Sequence, residues 1–146
     1  MERTISNSDN VIDSRDVIAR IAELEDERAA ITDLIAEAQR EEMRHAELEA
    51  ARKLAEWDES EEGAELKALR ALAKEAEGCA DWRYGEALIR DSYFEEYARE
   101  LADDICDMSR AKGWPYDYID WKVAAEALQM DYTSVDYDGV TYWIRS

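Results

Sequence analysis

The chain has 146 residues, with 37 Asp and Glu against 18 Lys and Arg and a formal net charge of −19. That charge excludes most nucleic-acid binders, which need a basic face for phosphates, and argues against anionic membrane surfaces. A 47% share of hydrophobic residues excludes wholesale disorder, and the length suits one domain or one domain with an extension.

Residues 1–13 read as a flexible N-terminus. Asp13 or Ser14 then caps a helix, with Asp16 favourably placed against the helix dipole. Val17, Ile21, Leu24, Ile31, Ile35 and Ala38 follow a 4-3 spacing, with Arg28 interrupting the seam, and this predicts a coiled-coil-like stripe. From Glu37 to Trp57 strong helix formers dominate. Asp58 to Gly63 is a candidate turn, helix resumes near Ala64 with Leu66, Leu69, Leu72 and Ala73 inward, and Gly78 is a stop. Residues 14–77 therefore read as a helical hairpin or coiled-coil arm. A stripe this narrow needs a second helix or another subunit to cover it.

Of the 14 aromatic residues, 13 lie from Trp82 onward, so a compact domain is expected over residues 82–146. Ala87, Leu88 and Ile89 form a short run that fits a strand. Asp91 or Ser92 starts a helix, with Ser92 and Glu95 placed as a capping box. Its inward face is Phe94, Tyr97, Ala98, Leu101, Ile105 and Met108. Gly113-Trp114-Pro115 ends it. Asp120 caps a shorter helix carrying Trp121, Ala124, Ala125 and Leu128. Asp138-Gly139 between alternating runs predicts a β-hairpin that pairs with Ala87–Arg90 or packs on a helix. The expected fold is α+β and mostly helical.

No apolar run approaches a membrane span and the start lacks a signal-peptide core, so a cytoplasmic protein is expected. Cys79 and Cys106 are too few for a disulfide framework and read as reduced thiols, Cys106 as a small buried group. The single histidine, His45, is far in sequence from both cysteines, and no nucleotide-binding or nucleophile motif occurs. The expectation is no enzyme, no metal and no cofactor. The informative pattern is Glu96, Glu100, Asp103 and Asp107, spaced 4, 3 and 4. One helix thus lines up four carboxylates opposite its apolar face. Glu95 and Asp104 widen the line, Arg99 is a single compensating base, and Asp117, Asp120, Asp131, Asp136 and Asp138 are candidates to extend the negative surface. Like charges at this spacing repel, which a merely solvated face avoids by mixing in Lys. The same spacing suits a site built to grip phosphates.

Phe94-Glu95-Glu96-Tyr97-Ala98-Arg99-Glu100-Leu101-Ala102-Asp103-Asp104, then Trp114-Pro115, Tyr118-Ile119-Asp120-Trp121, Ala124-Ala125, Leu128, Asp131-Tyr132, Val135 and Asp138-Gly139-Val140-Thr141-Tyr142 together resemble the ArdA antirestriction family. The resemblance covers somewhat under half of the chain. It implies a phage- or plasmid-borne mimic of double-stranded DNA that occupies the DNA groove of type I restriction–modification enzymes, usually as an elongated homodimer. Carried over, Glu95, Glu96, Glu100, Asp103, Asp104 and Asp120 stand for phosphates, and Phe94, Tyr97, Leu101, Ile119 and Trp121 are packing residues. The upstream domains usual in that family are replaced here by an acidic helical segment, which widens the possible targets to a CRISPR effector with a basic nucleic-acid channel. The expected partner is thus a basic DNA-binding host protein, in the bacterial cytoplasm, with no direct contact to nucleic acid or membrane. The alternative is a helical structural or adaptor protein of a phage or mobile element, its acidity serving solubility.

Overall fold

The structure, a computed structural model, describes residues 5–106, 113–114 and 116–146. Strand β1 is Val11–Asp13, followed by helices α1 (Ser14–Arg40), α2 (Arg44–Glu59) and α3 (Glu61–Ala76). Strand β2 (Ala87–Arg90), helices α4 (Phe94–Cys106) and α5 (Trp121–Leu128), and strands β3 (Tyr132–Tyr137) and β4 (Val140–Arg145) complete the chain. The four strands form one antiparallel sheet in the order β1-β2-β4-β3. The protein is therefore mostly helical α+β, as the periodicities predict.

Alternation along the strands gives the sheet two apolar faces. Ile12, Leu88, Val135, Tyr137, Tyr142 and Ile144 point to one side and pack with Val17 and Leu24 of α1 and Leu66, Leu69, Leu72 and Ala76 of α3. Ile89, Tyr132 and Trp143 point to the other and meet Phe94 and Ala98 of α4 and Ala125 and Leu128 of α5. The result is helices, sheet, helices. Sequence places the aromatic-rich half after Trp82, yet the larger buried cluster runs across that boundary and includes Trp82 itself.

The hairpin prediction holds in detail. Asp138 (φ 48°) and Gly139 (φ 83°) both adopt positive φ between paired Tyr137 and Val140, as a two-residue type I′ turn requires. β4 then pairs with β2 through Leu88 and Ile144. Residues 5–13, counted with the flexible N-terminus, are instead part of the fold. β1 pairs with β2, and Ile5 and Ile12 are buried. The Tyr137 hydroxyl donates to the Ile5 carbonyl at 3.1 Å, and the Tyr142 hydroxyl to the Asp9 carbonyl at 2.6 Å.

Asp13 caps α1 by accepting from the Arg15 N–H at 2.9 Å. Ser14, fully buried, satisfies both its groups on Glu86: its N–H donates to the Glu86 carbonyl, and its Oγ accepts the Glu86 N–H at 2.7 Å. All six apolar seam positions of α1 are buried or half-buried. Their helical cover comes from both α2 and α3, so the segment is three helices rather than a two-helix hairpin. The chain turns after Glu41 and again at Ser60, whose Oγ accepts the Gly63 N–H at 3.3 Å and caps α3.

Candidate acidic site

Helix α4 is oriented by its aromatic side. The Phe94 ring lies edge-on to Tyr132 at 5.2 Å and also meets Tyr97 (5.6 Å) and Trp143 (6.1 Å). The hydroxyls of Tyr97 and Tyr132 are 3.1 Å apart, and burial followed by that hydrogen bond raises the Tyr132 pKa. With Phe94 and Ala98 locked against the sheet, the opposite side of the helix must face solvent. Glu95, Glu96, Glu100, Asp103 and Asp104 are all exposed. At about 1.5 Å rise per residue, Glu96, Glu100 and Asp103 span roughly 10 Å along the axis, a charge about every 5 Å. Asp107 and Met108 lie outside the described residues, as does the side chain of Cys106.

The difference from the N-terminal helices lies in pairing. There, Arg20 binds Glu65 through Nε at 2.8 Å, Arg28 binds Asp58 at 2.9 Å, and Arg70 binds Glu25 at 3.0 Å. Hydrogen bonding to Arg28 lowers the Asp58 pKa. Among the described residues no ion pair neutralises Glu95, Glu96, Glu100, Asp103 or Asp104. Arg99 turns aside to lie 5.5 Å from the centre of the Trp121 ring. The Tyr93 hydroxyl donates to Glu100 at 2.9 Å. Its pKa is raised first by that bond, then by desolvation and by the charges of Glu100 and Glu96.

The remaining candidates do not form one surface. Asp117 is exposed in the short 3-10 turn Tyr116–Tyr118. Asp120 is exposed and caps α5, accepting from the N–H groups of Lys122 (3.1 Å) and Val123 (3.3 Å), so it has a structural task whatever else it does. Asp131 is exposed past the far end of α5, where its carbonyl accepts from Ser146. Asp138 and the β3 edge at Asp136 border a groove on α3, the layer opposite α4, which Lys67 and Lys74 also line, although alternation along β3 gives Asp136 the same side of the sheet as Tyr132. The Asp136 N–H there donates to Glu75 at 2.9 Å, closing part of the β3 edge.

Two expectations for α4 change. Ile105, counted as inward, is 72% exposed, because the apolar contact with the sheet is concentrated in the first turns around Phe94 and Ala98. The Ser92–Glu95 capping box is not made. A 3-10 turn, Asp91–Tyr93, leads into α4 instead, and Ser92 Oγ accepts from Arg90 while Asp91 accepts from Trp143 Nε1 at 2.9 Å. The placement of Arg99 on Trp121 was missed, since two residues 22 apart in sequence leave no periodic signal.

Among the described residues, no three His, Cys, Asp or Glu side chains are grouped to hold a metal ion, and no helix is long and apolar enough to cross a membrane. No family model, curated protein or solved structure matches the chain.

Proposed function

We propose that the protein is a DNA mimic that inhibits a host DNA-binding defence protein, either a type I restriction–modification enzyme or a CRISPR effector, by occupying its basic nucleic-acid groove. The observation that carries this reading is the line of exposed carboxylates along α4, which no ion pair neutralises among the described residues, presented by a helix whose other side is fixed by aromatic packing. The resemblance of residues 82–146 to the ArdA family points the same way. Glu95, Glu96, Glu100, Asp103 and Asp104 stand in for phosphates, with Asp120 at the start of α5, the helix that packs beside α4. No bond is made or broken. Binding draws on counterion release and on steering between opposite charges.

The test is inhibition of purified defence complexes by the full chain, measured against salt and competing duplex DNA. Affinity falls steeply with salt, and DNA competes. Changing Glu96, Glu100 and Asp103 together to Lys abolishes inhibition with the fold intact by circular dichroism. Binding that is flat in salt, or inhibition retained by the reversed chain, sinks the assignment.

A second reading draws on a separate observation. Leu34, Met43 and Leu48 are about half exposed near the α1–α2 turn, as suits an adaptor that joins a larger assembly. In that case reversal on α4 is harmless.

A further inference from the structure

The α1–α2 hairpin continues past the core. Leu24 is the last α1 residue in the buried cluster under the sheet, and the helix runs roughly 24 Å further to Arg40. Its distal part is accompanied by α2, with Gln39 Nε2 donating to Glu47 at 3.1 Å. Two helices side by side do not enclose an apolar strip. Next to the turn they leave an open slot of about 250 Å³. Its floor is Ala38 and Ala50, its walls Leu34 (46% exposed) and Met43 (52% exposed). The rim carries Glu37, Glu41 and Glu49 against one base, Lys53.

Size and charge select the occupant. The volume is below the roughly 300–1,000 Å³ of small-molecule sites, and suits an apolar side chain or two from a docking helix. A second copy of this chain would bring the three rim glutamates near their counterparts, between two molecules each of net charge −19. A basic partner meets complementary charge instead. We infer that the slot docks an amphipathic helix of a partner protein, its apolar side chains seated between Leu34 and Met43 and its Lys or Arg residues facing Glu37, Glu41 and Glu49. This holds whether or not α4 imitates phosphates.

The probe is a fluorescein-labelled model helix of leucine and lysine, with leucines at i, i+3, i+4 and i+7, against a scrambled peptide of the same composition. Both are titrated onto the full chain at physiological salt. The amphipathic peptide binds, and the scrambled one binds at least about tenfold more weakly. Leu34→Ser with Met43→Ser weakens binding about tenfold or more. Glu37→Gln with Glu41→Gln and Glu49→Gln leaves the apolar walls untouched, weakens binding about threefold and flattens its salt dependence. Reversal of Glu96, Glu100 and Asp103 to Lys leaves the affinity within about twofold. Equal affinity for the scrambled peptide, or loss of binding on reversing α4, overturns the inference in favour of diffuse charge attraction. Undiminished binding by the Leu34/Met43 variant overturns it as well. So does a wild-type dimer in sedimentation equilibrium that the same pair of substitutions dissociates, because a second copy then covers the slot.

Discussion

Glu42 occupies a position that favours glycine. Its φ is 55°, its N–H donates to the Gln39 carbonyl at 3.2 Å, and the next N–H, that of Met43, donates to the Ala38 carbonyl at 2.8 Å. These two bonds make a Schellman ending to α1, with a side chain at the left-handed residue. Glu42→Gly removes the Cβ penalty and stabilises the protein by about 1 kcal/mol, read as a higher denaturation midpoint. An unchanged or lower midpoint would mean that Glu42 makes a compensating contact. At the other end of the fold, burial pushes the Tyr137 pKa up to about 12, helped by the charges of Glu65 and Asp138. The unfolded chain releases this proton near pH 10, so between about pH 10 and 12 the native state holds more protons. The stability contribution is complete below pH 10 and is lost as pH rises through the native value. Tyr137→Phe, which also lacks the hydrogen bond to Ile5, shows a shallower alkaline decline in urea midpoint than wild type; parallel declines would contradict the assignment.

Among the elements, α4 trades stability for charge. Glu96 and Glu100 are one helical turn apart, as are Glu100 and Asp103, and each like-charged pair costs about 0.2–0.5 kcal/mol. Glu96→Gln, Glu100→Gln and Asp103→Asn together therefore raise stability by roughly 0.5–1 kcal/mol while removing inhibition. Added salt raises the wild-type melting temperature more than that of the neutral variant. Equal salt responses would show that these carboxylates do not repel. The line on α4 and the Asp138-Gly139 hairpin were legible because each is written in a local period or turn dipeptide, whereas the strand at Ala87–Arg90 showed only as a short, ambiguous apolar run. β1 was not: Val11, Ile12 and Asp13 are too few to show alternation, and their extended state comes from pairing with β2. The turn between α1 and α2 was hidden because it contains neither Gly nor Pro and lies within a run of strong helix formers. The reach of the acidic site was hidden for another reason. Whether Asp138 joins α4 or α3 depends on which side of the sheet each helix packs, which no local pattern records.

For the molecule as a whole, the question is whether the helices before residue 77 are an appendage or half of the core. The chain's chemistry divides near Trp82, and an arm followed by a compact domain is the natural reading of that division. Packing joins the halves. Leu88, Val135, Tyr142 and Ile144 are each at most 3% exposed, and their cover comes from Val17, Leu24, Leu66, Leu69 and Leu72. A fragment of residues 82–146 keeps α4 and α5 on one side of the sheet but leaves the other side bare, without β1 on its edge. Burying a large apolar side chain contributes about 1.5–3 kcal/mol, so losing the cover of four removes about 6–12 kcal/mol, comparable to the whole net stability of about 5–15 kcal/mol typical of a domain. The isolated fragment therefore melts without a cooperative transition and binds a hydrophobic dye, whereas the full chain unfolds in one step. A fragment that melts cooperatively, with Leu88 and Ile144 amides protected from exchange, would show that the acidic layer and sheet fold alone. Residues 14–77 would then be a separable module. Until that result is in hand, the carboxylate line has to be tested in the intact chain, because its geometry depends on Phe94 resting on a sheet that the N-terminal helices help to close.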